Sequence, residues 1–375
     1  MLSFTELVAL DGELKDTPAL TLYLDGRSDN PAWRTAWRRA LKQEETRLRH
    51  ALVDASHDER EAFTRDVEAL EAHLAQRRGA LDAAGWLGVI ANGRVRFDAP
   101  LHEVTPTFGH WGRGVALAPF LCVPCADQGA WVVVVDSRAA RIFHCDEDGV
   151  RRIDTVRTIA RVEHGDAMGP ARGGKFHTGT RGGVGRDEAE RERRTARERM
   201  LHALAEHVRA LSPGAAVFVG GTPQLVADAA AAIEAAGVKP VIEAPSLGAR
   251  ARVNEIARAV REGMALLRHD ADVVLVDEVV RRFAADELGA AGAAITGRAL
   301  DNRAVRTLVL SDSFVVSQPE VAEVFVRSAL AQDAVIRVVS GDAARQLEES
   351  GGAGVLLRFS PFKPAQVSEG ELATV

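Results

Sequence analysis

Short apolar runs alternate with longer amphipathic segments along most of this chain. Short apolar runs such as PALTLYLDG (18–26), and runs rich in β-branched residues such as the one that begins WVVVV (131–135), predict strands, whereas segments with apolar residues three or four positions apart predict helices. Strands and hairpins are predicted at 18–26, 86–98, 131–150, 214–221, 238–246, 299–314, 333–340 and 351–359. Helices are predicted at 30–55, 58–77, 187–211, 223–236, 273–287, 319–330 and 342–349. This alternation predicts an α/β fold.

Two local signals sharpen the boundaries of these elements. Asn30 suits the N-cap of the first long helix, and Pro31 suits its first helical position. Asn92-Gly93 separates two apolar runs and predicts a hairpin with a type I′ turn, which needs positive φ at both central residues.

The chain of 375 residues is long enough for two or three domains. A loop-rich segment with three prolines, at 106–130, indicates the first boundary. We expect an N-terminal α/β domain over 1–126, a central α/β domain over 127–268 and a C-terminal α/β domain over 269–375. The sequence shows no internal repeat.

The central domain contains the segment KFHTGTRGGVGRDEAERERRTARERM (175–200), in which a glycine-rich loop (169–186) leads into a charged helix. Only the second half of that helix has an apolar stripe, formed by Ala196, Met200, Leu204, Val208 and Leu211. The first half offers the ion pairs Asp187–Arg191 and Glu190–Arg194 at i,i+4 spacing. We therefore expect the helix to project beyond its domain and to carry the loop at its tip.

The loop and the first half of the helix are basic. Residues 172–199 contain nine basic and five acidic side chains, a net charge of +4, although the whole chain has a net charge of −6. We refer to the loop (169–186) together with the first half of the helix as the finger. A basic, glycine-rich finger on an acidic protein favours a phosphate-rich target. The alternative is a disordered surface insertion on a solvated helix. GPARGGKF (169–176) has P-loop spacing, but Phe176 stands where Ser or Thr would hold Mg²⁺ and no buried strand precedes it, which argues against nucleotide binding.

Composition and hydropathy argue against a secreted, membrane-spanning or disulfide-rich protein. The N-terminal residues lack a signal-peptide pattern, and no run approaches the roughly 18 apolar residues of a membrane span. The three cysteines are too few, and odd in number, for a disulfide framework, which fits a reducing compartment. We expect a cytoplasmic monomer without a cofactor and without a membrane partner.

The order of these motifs resembles that of the archaeal and eukaryotic class one release factors and Pelota. The bacterial branch of that superfamily, which includes ribosome hibernation factors of the Balon type, is the more similar. TLYLDG (21–26) before an arginine-rich helix resembles the first domain of this family, and WVVVVDSRAARIFHCDEDG (131–149) resembles the opening hairpin of its central domain. RALDNRAVRTLVLSD (298–312) and ESGGAGVLLRF (349–359) resemble its ribosomal-protein-like C-terminal domain. The resemblance covers nearly the whole chain and implies a release-factor/Pelota-like architecture of three domains, ending in a ribosomal-protein-like α/β sandwich.

In this family a Gly-Gly-Gln tripeptide on the central loop positions a water on the peptidyl-tRNA ester. The matching tripeptide here is Gly182-Gly183-Val184, and a valine side chain neither donates nor accepts a hydrogen bond. Gln224 also follows a Gly-Gly pair, but it stands at a predicted helix start. The sequence has no counterpart of the family's Asn-Ile-Lys-Ser loop for stop-codon reading. The comparison therefore argues against Gln-dependent peptide release and against codon-specific termination.

The resemblance implies a tRNA-shaped factor in the ribosomal A site that acts in hibernation or in recognition of stalled ribosomes. Its partners would be ribosomal RNA and elongation factor Tu or another translational GTPase. We expect the binding residues on the loop to be Arg172, Gly173, Gly174, Lys175, His177, Arg181, Gly182, Gly183, Val184 and Arg186. Further basic residues lie on the first long helix: Arg34, Arg38 and Arg39, followed by Lys42 and Arg47. Because glutamates are interleaved with the basic residues of this helix, a solvated helix face is the alternative interpretation.

Two other classes of function stay open. A ribosome rescue enzyme that hydrolyses peptidyl-tRNA or cleaves tRNA would need an essential group near the tip, such as His177 or Lys175. A small-molecule or nucleotide enzyme on the α/β scaffold would be indifferent to changes at the tip.

Cysteine and histidine residues offer weaker candidates. Cys122 and Cys125 have zinc-ligand spacing, but a structural zinc site needs four ligands. The residues that could complete such a site are His110, His144 and Cys145. A pair of buried thiols or a redox role fits this pattern better than a metal. His164 and His177 flank the glycine-rich loop, where they could contact RNA or act as a general acid, or be merely exposed.

Overall fold

A computed structural model describes residues 3–26, 36–75, 81, 83–101, 107–122, 129–146, 149–157, 184–212 and 214–360, without the side chains of 184–189. The chain divides into two compact units, Ala126–Leu267 and a unit that combines Met1–Cys125 with Arg268–Val375. The described residues form three sheets with helices packed against them, which confirms the predicted α/β class. The predicted helix start at Asn30-Pro31 lies outside the described residues.

The N-terminal part of the first unit is built on an antiparallel sheet of order β3-β2-β1-β4. Its elements are α1 (Phe4–Leu14), β1 (Pro18–Asp25), α2 (Ala36–Ala51), α3 (His57–Ala75), β2 (Gly85–Ala91), β3 (Arg94–Leu101), β4 (Phe108–Arg113) and α4 (Ala118–Leu121). The apolar run of β1 is buried on both faces. Leu20, Leu22 and Leu24 pack with α2 and α3, whereas Ala19 and Tyr23 join a cluster on the opposite face.

The predicted hairpin turn at Asn92-Gly93 is confirmed. The two residues have φ angles of 56° and 70°, both in the left-handed region that a type I′ turn requires. The buried carboxylate of Asp66 on α3 accepts a hydrogen bond of 2.5 Å from the backbone N–H of Gly93. Burial raises the pKa of Asp66, because desolvation outweighs that hydrogen bond and the charge of Arg65.

The C-terminal part of the first unit contains a four-stranded sheet of order β10-β13-β11-β12. Its elements are β10 (Gly289–Ala291), α8 (Ala293–Asp301), β11 (Val305–Ser311), α9 (Asp312–Ser317), α10 (Pro319–Leu330), β12 (Val335–Val339), α11 (Gly341–Glu348) and β13 (Ala353–Leu357). β11 and β12 are parallel, and the other pairs are antiparallel. The bounds of α10 coincide with the predicted helix at 319–330.

The N-terminal and C-terminal parts share one hydrophobic cluster, which includes Leu7 and Phe120 from the former and Phe314 and Phe325 from the latter. A polar network lies beside this cluster. Arg327 of α10 donates two hydrogen bonds of 2.8 Å to the carboxylate of Asp11 on α1 and one of 2.7 Å to the carbonyl of Val115. Bidentate pairing of a guanidinium with a carboxylate fixes geometry as well as charge. The network therefore holds α10 against the N-terminal part.

The second unit contains a five-stranded sheet of order β7-β6-β5-β8-β9. Its elements are β5 (Ala130–Val135), β6 (Ala139–Asp146), β7 (Gly149–Arg157), α5 (Val184–Leu211), β8 (Val217–Gly221), α6 (Pro223–Ala235) and β9 (Val241–Glu243), followed by α7, which begins at Val253. β5, β6 and β7 form an antiparallel meander, whereas β8 is parallel to β5 and β9 is parallel to β8. α5 and α6 cover one face of this sheet, and the first turns of α7 cover the other.

Helix α7 (Val253–Ala284) is longer than predicted. The helix expected over 273–287 corresponds to the C-terminal part of this 32-residue helix, which ends at Ala284. Gly263 lies inside this helix. A Cβ atom at this position would lie 2.2 Å from the ring of Phe218, so the glycine permits close packing of α7 on β8. Among the described residues, no helix is both long enough and apolar enough to cross a membrane.

Candidate nucleic-acid interface

The predicted glycine-rich loop joins β7 to α5, and most of it lies outside the described part of the chain. The expected binding residues found there are Arg172, Gly173, Gly174, Lys175, His177, Arg181, Gly182 and Gly183, together with Arg34 ahead of α2. Val184 is the first residue of α5 and Arg186 lies in its first turn, but their side chains are not among those described. The geometry of the candidate interface therefore concerns the root of the loop, at the end of β7 and along α5.

The side chains of α5 confirm the predicted division of this helix. Ala196, Met200, Leu204 and Val208 are buried, with Leu204 fully excluded from solvent. By contrast, the side chains of 190–195 and 197–199 are exposed. Apolar contacts with the sheet therefore hold only the second half of α5, and its first half offers charges to the solvent.

A contact between a histidine and an aspartate links α5 to the edge strand of the sheet. His207 on α5 lies 3.0 Å from the carboxylate of Asp154 on β7. The strand rises by about 10 Å from Asp154 to Arg157, its last residue. A helix covers the same distance in about seven residues, so counting back from His207 makes Met200 the residue of α5 that is level with Arg157. With the helix axis parallel to the strand, the ten residues 190–199 would extend about 15 Å beyond the end of β7. Nine of these ten side chains are exposed, and Ala196 is buried.

Five arginines lie in the exposed stretch, at positions 191, 193, 194, 197 and 199, against three glutamates at 190, 192 and 198. Arg194 pairs with Glu198 at 3.6 Å, and both side chains are more than two-thirds exposed. Such a surface pair contributes at most about 1 kcal/mol. The stretch has a net charge of +2 and is free to meet an anionic partner.

Two further arginines lie at the same end of the sheet, and sequence reasoning did not single them out. Ala139 pairs with Arg157 in the antiparallel register of β6 and β7, which brings the β5–β6 turn beside the last residue of β7. Arg138 in that turn and Arg157 are both exposed. The carboxylate of Asp136 accepts hydrogen bonds from the backbone N–H groups of Arg138 and Ala139 and so stabilises the turn. Hairpin register was the signal that would have connected these arginines to the loop.

Helix α2 presents the second group of expected binding residues. Arg38 and Arg39 are exposed, and the Arg38 guanidinium lies 5.2 Å from the ring centroid of Trp37, within cation–π range. Lys42 is exposed one turn further along the helix. These three cations are available to solvent, which is compatible both with RNA contact and with a solvated face.

Arg47 on the same helix has a structural role instead. It donates hydrogen bonds to Glu44 and to the carbonyl of Gly109 on β4, and Glu44 accepts a hydrogen bond of 2.9 Å from the N–H of Gly109. β4 is an edge strand of its sheet. The Glu44–Arg47 pair thus satisfies backbone groups that the edge would otherwise leave open.

Among the described cysteine and histidine candidates, no metal-binding group is formed. Burial raises the pKa of Cys122 to about 12, with a smaller contribution from Asp312, and burial raises that of Cys145 to about 12 with help from Asp146. Burial lowers the pKa of His110. His144 lies 3.1 Å from the carboxylate of Asp146. The described residues contain no group of three or more His, Cys, Asp or Glu side chains that could hold a metal. The remaining candidates, Cys125, His164 and His177, lie outside the described residues.

Gln224, the other glutamine after a Gly-Gly pair, is the second residue of α6, which confirms the predicted helix start. Gly221 has a φ of 132°, and a Cβ there would lie 1.9 Å from the carbonyl oxygen of Val135. Gly221 therefore permits the close packing of β8 against β5.

No protein-family model matches this chain, and no curated protein matches it. Among solved structures, Archaeoglobus fulgidus Pelota has 15% sequence identity and a TM-score of 0.41, over 73% of this chain and 80% of Pelota. The archaeal translation termination factor aRF1 has 16% identity and a TM-score of 0.27, over 96% of this chain and 99% of aRF1. A model of ribosome-bound archaeal Pelota and ABCE1 includes a chain with 15% identity and a TM-score of 0.42, over 95% of this chain and 94% of that one. Identities and TM-scores at this level assign neither a family nor a function.

Proposed function

We propose that this protein is a cytoplasmic ribosome-binding factor that occupies the A site of idle or stalled ribosomes without Gln-dependent peptide release. The observation that carries this proposal is the exposed, basic half of α5, which follows the glycine-rich loop predicted over 169–186. The order of motifs that resembles release factors and Pelota supports the same function. Ribosome hibernation is the role we favour.

The distribution of charge supports an RNA target for the second unit. Residues 126–267 contain 21 basic and 19 acidic side chains, a net charge of +2, so the remainder of the chain has a net charge of −8. Phosphate contacts of Arg and Lys supply most sequence-independent affinity for nucleic acids. Since the excess positive charge lies in the unit that carries the finger, we infer that this unit makes the main contact with ribosomal RNA.

Val184 is the reason for proposing a binder rather than a hydrolase. It stands where the resemblance places a glutamine, and it begins α5. An isopropyl group can neither orient a water nor stabilise charge that develops on an ester oxygen. Exposed Arg38 and Arg39 on α2 would add contacts from the first unit. By the same resemblance, elongation factor Tu or another translational GTPase would be the delivery partner.

Co-sedimentation with purified 70S ribosomes tests this function. Vacant ribosomes and ribosomes with P-site peptidyl-tRNA are each mixed with the full-length protein across a salt series. One variant replaces residues 172–183 by a Gly-Ser linker of equal length, which leaves α5 intact. A matched variant, R172Q/K175Q/R181Q, removes only charge from the loop and keeps its length and glycines.

Salt-sensitive binding that both variants weaken, with peptidyl-tRNA left intact, would support the proposal. Release of the peptide by the wild type, lost on His177→Ala or Lys175→Ala, would establish the rescue enzyme in its place. Absence of binding to either ribosome would refute the proposal.

A further inference from the structure

Two exposed arginines lie on the side of α5 that packs on the sheet. Met200, Leu204 and Val208 define what we term the inner face of α5, the side that packs on the sheet. At spacings of three and four residues, Arg197 and Arg193 continue this face towards the N-terminus of the helix. Both arginines are exposed, although Ala196 between them is buried.

Arginines outnumber glutamates on the inner face of the exposed half of α5. This face carries Arg193 and Arg197 against Glu190. The rest of the helix surface carries arginines at 191, 194 and 199 and glutamates at 192 and 198, and there Arg194 pairs with Glu198 at i,i+4 spacing.

Arg193 and Arg197 stand four residues apart, so their side chains are neighbours on the helix. Within the described residues, neither has an ion-pair partner within 4.0 Å. Like charges at this spacing destabilise a helix. An anion bound between the two arginines would reverse that penalty.

A third unpaired cation lies at the sheet end that this face overhangs. α5 packs against β6 and β7, and the β5–β6 turn forms the end of those strands. Arg138 in the turn is exposed, and Asp136 engages its backbone N–H. Within the described residues the Arg138 guanidinium has no ion-pair partner within 4.0 Å.

We propose that Arg193 and Arg197, with Arg138 below them, form a binding surface for the phosphate groups of a nucleic-acid backbone. Arginine suits this ligand because its planar fork donates two parallel hydrogen bonds to phosphate oxygens. The surface would hold an RNA strand against the stem of the finger, independently of the glycine-rich tip. This inference rests on the proposed function for its choice of RNA as the ligand.

The slope of log affinity against log salt concentration tests this surface. The probes are fluorescein-labelled oligouridine of 20 nucleotides, measured by anisotropy with the full-length protein, and purified 70S ribosomes. Each phosphate contact with a single strand contributes about 0.7 to the slope. We therefore expect R193Q/R197Q to lower the oligouridine slope by about 1.4, and R138Q to lower it by about 0.7. R191Q/R199Q removes the same charge from the rest of the helix surface in the same segment and should leave the slope unchanged.

Each outcome of this experiment is decisive. Equal losses in R193Q/R197Q and R191Q/R199Q would show long-range attraction without a defined surface and would overturn the inference. Unchanged slopes in R193Q/R197Q, with circular dichroism confirming its helix content, would do the same. Displacement of the RNA by polyglutamate of 20 residues at equal concentration would identify an acidic protein surface as the better ligand.

The two probes separate this inference from the proposed function. If the protein fails to bind ribosomes but the oligouridine slope still falls in R193Q/R197Q, the surface stands and the ribosomal function is wrong. If ribosomes bind and R193Q/R197Q leaves both slopes unchanged, the function stands and the surface is wrong.

Discussion

Replacement of Glu323 by alanine is expected to destabilise the first unit by about 2–6 kcal/mol. Oε2 of Glu323 accepts hydrogen bonds from the backbone N–H groups of Leu117 (2.8 Å) and Ala118 (2.9 Å), at the start of α4. The side chain of Leu117 does not cap that helix, so α10 supplies its cap from more than 200 residues away. Each buried N–H group left without a partner costs about 1–3 kcal/mol, and Glu323→Ala leaves two such groups without a partner.

The carboxyl group of Glu323 also lies beside Arg327. Oε1 of Glu323 lies 2.9 Å from Nε of Arg327 but without hydrogen-bond alignment. Burial raises the pKa of Glu323, because desolvation outweighs the backbone N–H groups and Arg327. The site therefore holds a neutral acceptor better than a charged one. Glu323→Gln keeps a carbonyl oxygen for the two N–H groups and should lose at most half as much stability as Glu323→Ala.

The sign of the pH dependence follows from the same shift. A carboxyl whose pKa is raised on folding contributes stability that is fully present below its unfolded pKa and is lost as the pH rises through its folded pKa. The difference in stability between wild type and Glu323→Gln should therefore be largest near pH 4 and should shrink towards neutral pH. Other titrating groups are common to both proteins and cancel in the comparison.

Hydrogen exchange by mass spectrometry is the assay of choice, because a chain of two units need not unfold in a single step. Faster exchange at Leu117 and Ala118 in Glu323→Ala reports the loss of the cap directly. Urea unfolding followed by tryptophan fluorescence gives the free energy. Val324→Ala, at an adjacent and 59% exposed position of α10, is the control and should change stability by less than about 0.5 kcal/mol. Equal destabilisation by Glu323→Gln and Glu323→Ala would refute this reasoning and assign the stability to the ion pair.

Three further predictions concern the second unit and the thiols. Leu204→Ala, at the fully buried centre of the α5 stripe, should lower the free energy of unfolding in urea by about 2–5 kcal/mol. A loss below about 1 kcal/mol would mean that this stripe does not hold α5 on the sheet. In a Cys125→Ser background, Cys122 and Cys145 should resist alkylation by iodoacetamide at pH 8 in the native state. A thiol pKa of about 12 leaves a thiolate fraction on the order of 10⁻⁴ at that pH. Rapid labelling would contradict these raised pKa values. Val184→Gln, which creates a Gly-Gly-Gln tripeptide, should confer release of peptide from P-site peptidyl-tRNA on a protein that otherwise only binds, and ribosome binding without release would show that the loop does not reach the ester.

Local signals in the sequence predicted much of the fold. The bounds of α10 follow from Pro319 at the first helical position and an apolar face over the next three turns. The turn at Asn92-Gly93 follows from the backbone angles that only a few residue types adopt easily. In each case the determinant lies within a few residues of the structure that it determines, so no knowledge of tertiary contacts is needed.

Non-local determinants could not be read from the sequence. The partners Asp11 and Arg327 are 316 residues apart, and nothing near either one indicates the other. Glu44 and Arg47 have the i,i+3 spacing of a solvated ion pair, yet they bind the edge of β4. The length of α7 was missed for a related reason. A glycine inside a helical pattern lowers the expectation of a helix, and only the ring of Phe218 explains why Gly263 is present.

The candidate interface combines both kinds of information in one helix. The stripe of α5 could be read from the sequence, but its functional division depends on where the sheet stops, which the contact between His207 and Asp154 helps to locate. β7 has nine residues and spans about 30 Å, whereas α5 has 28 residues and spans about 42 Å. A helix longer than its sheet must present part of its inner face to something other than the core. Because that part carries Arg193 and Arg197 in place of leucine or valine, the physical chemistry of the helix itself selects an anionic partner over an apolar one.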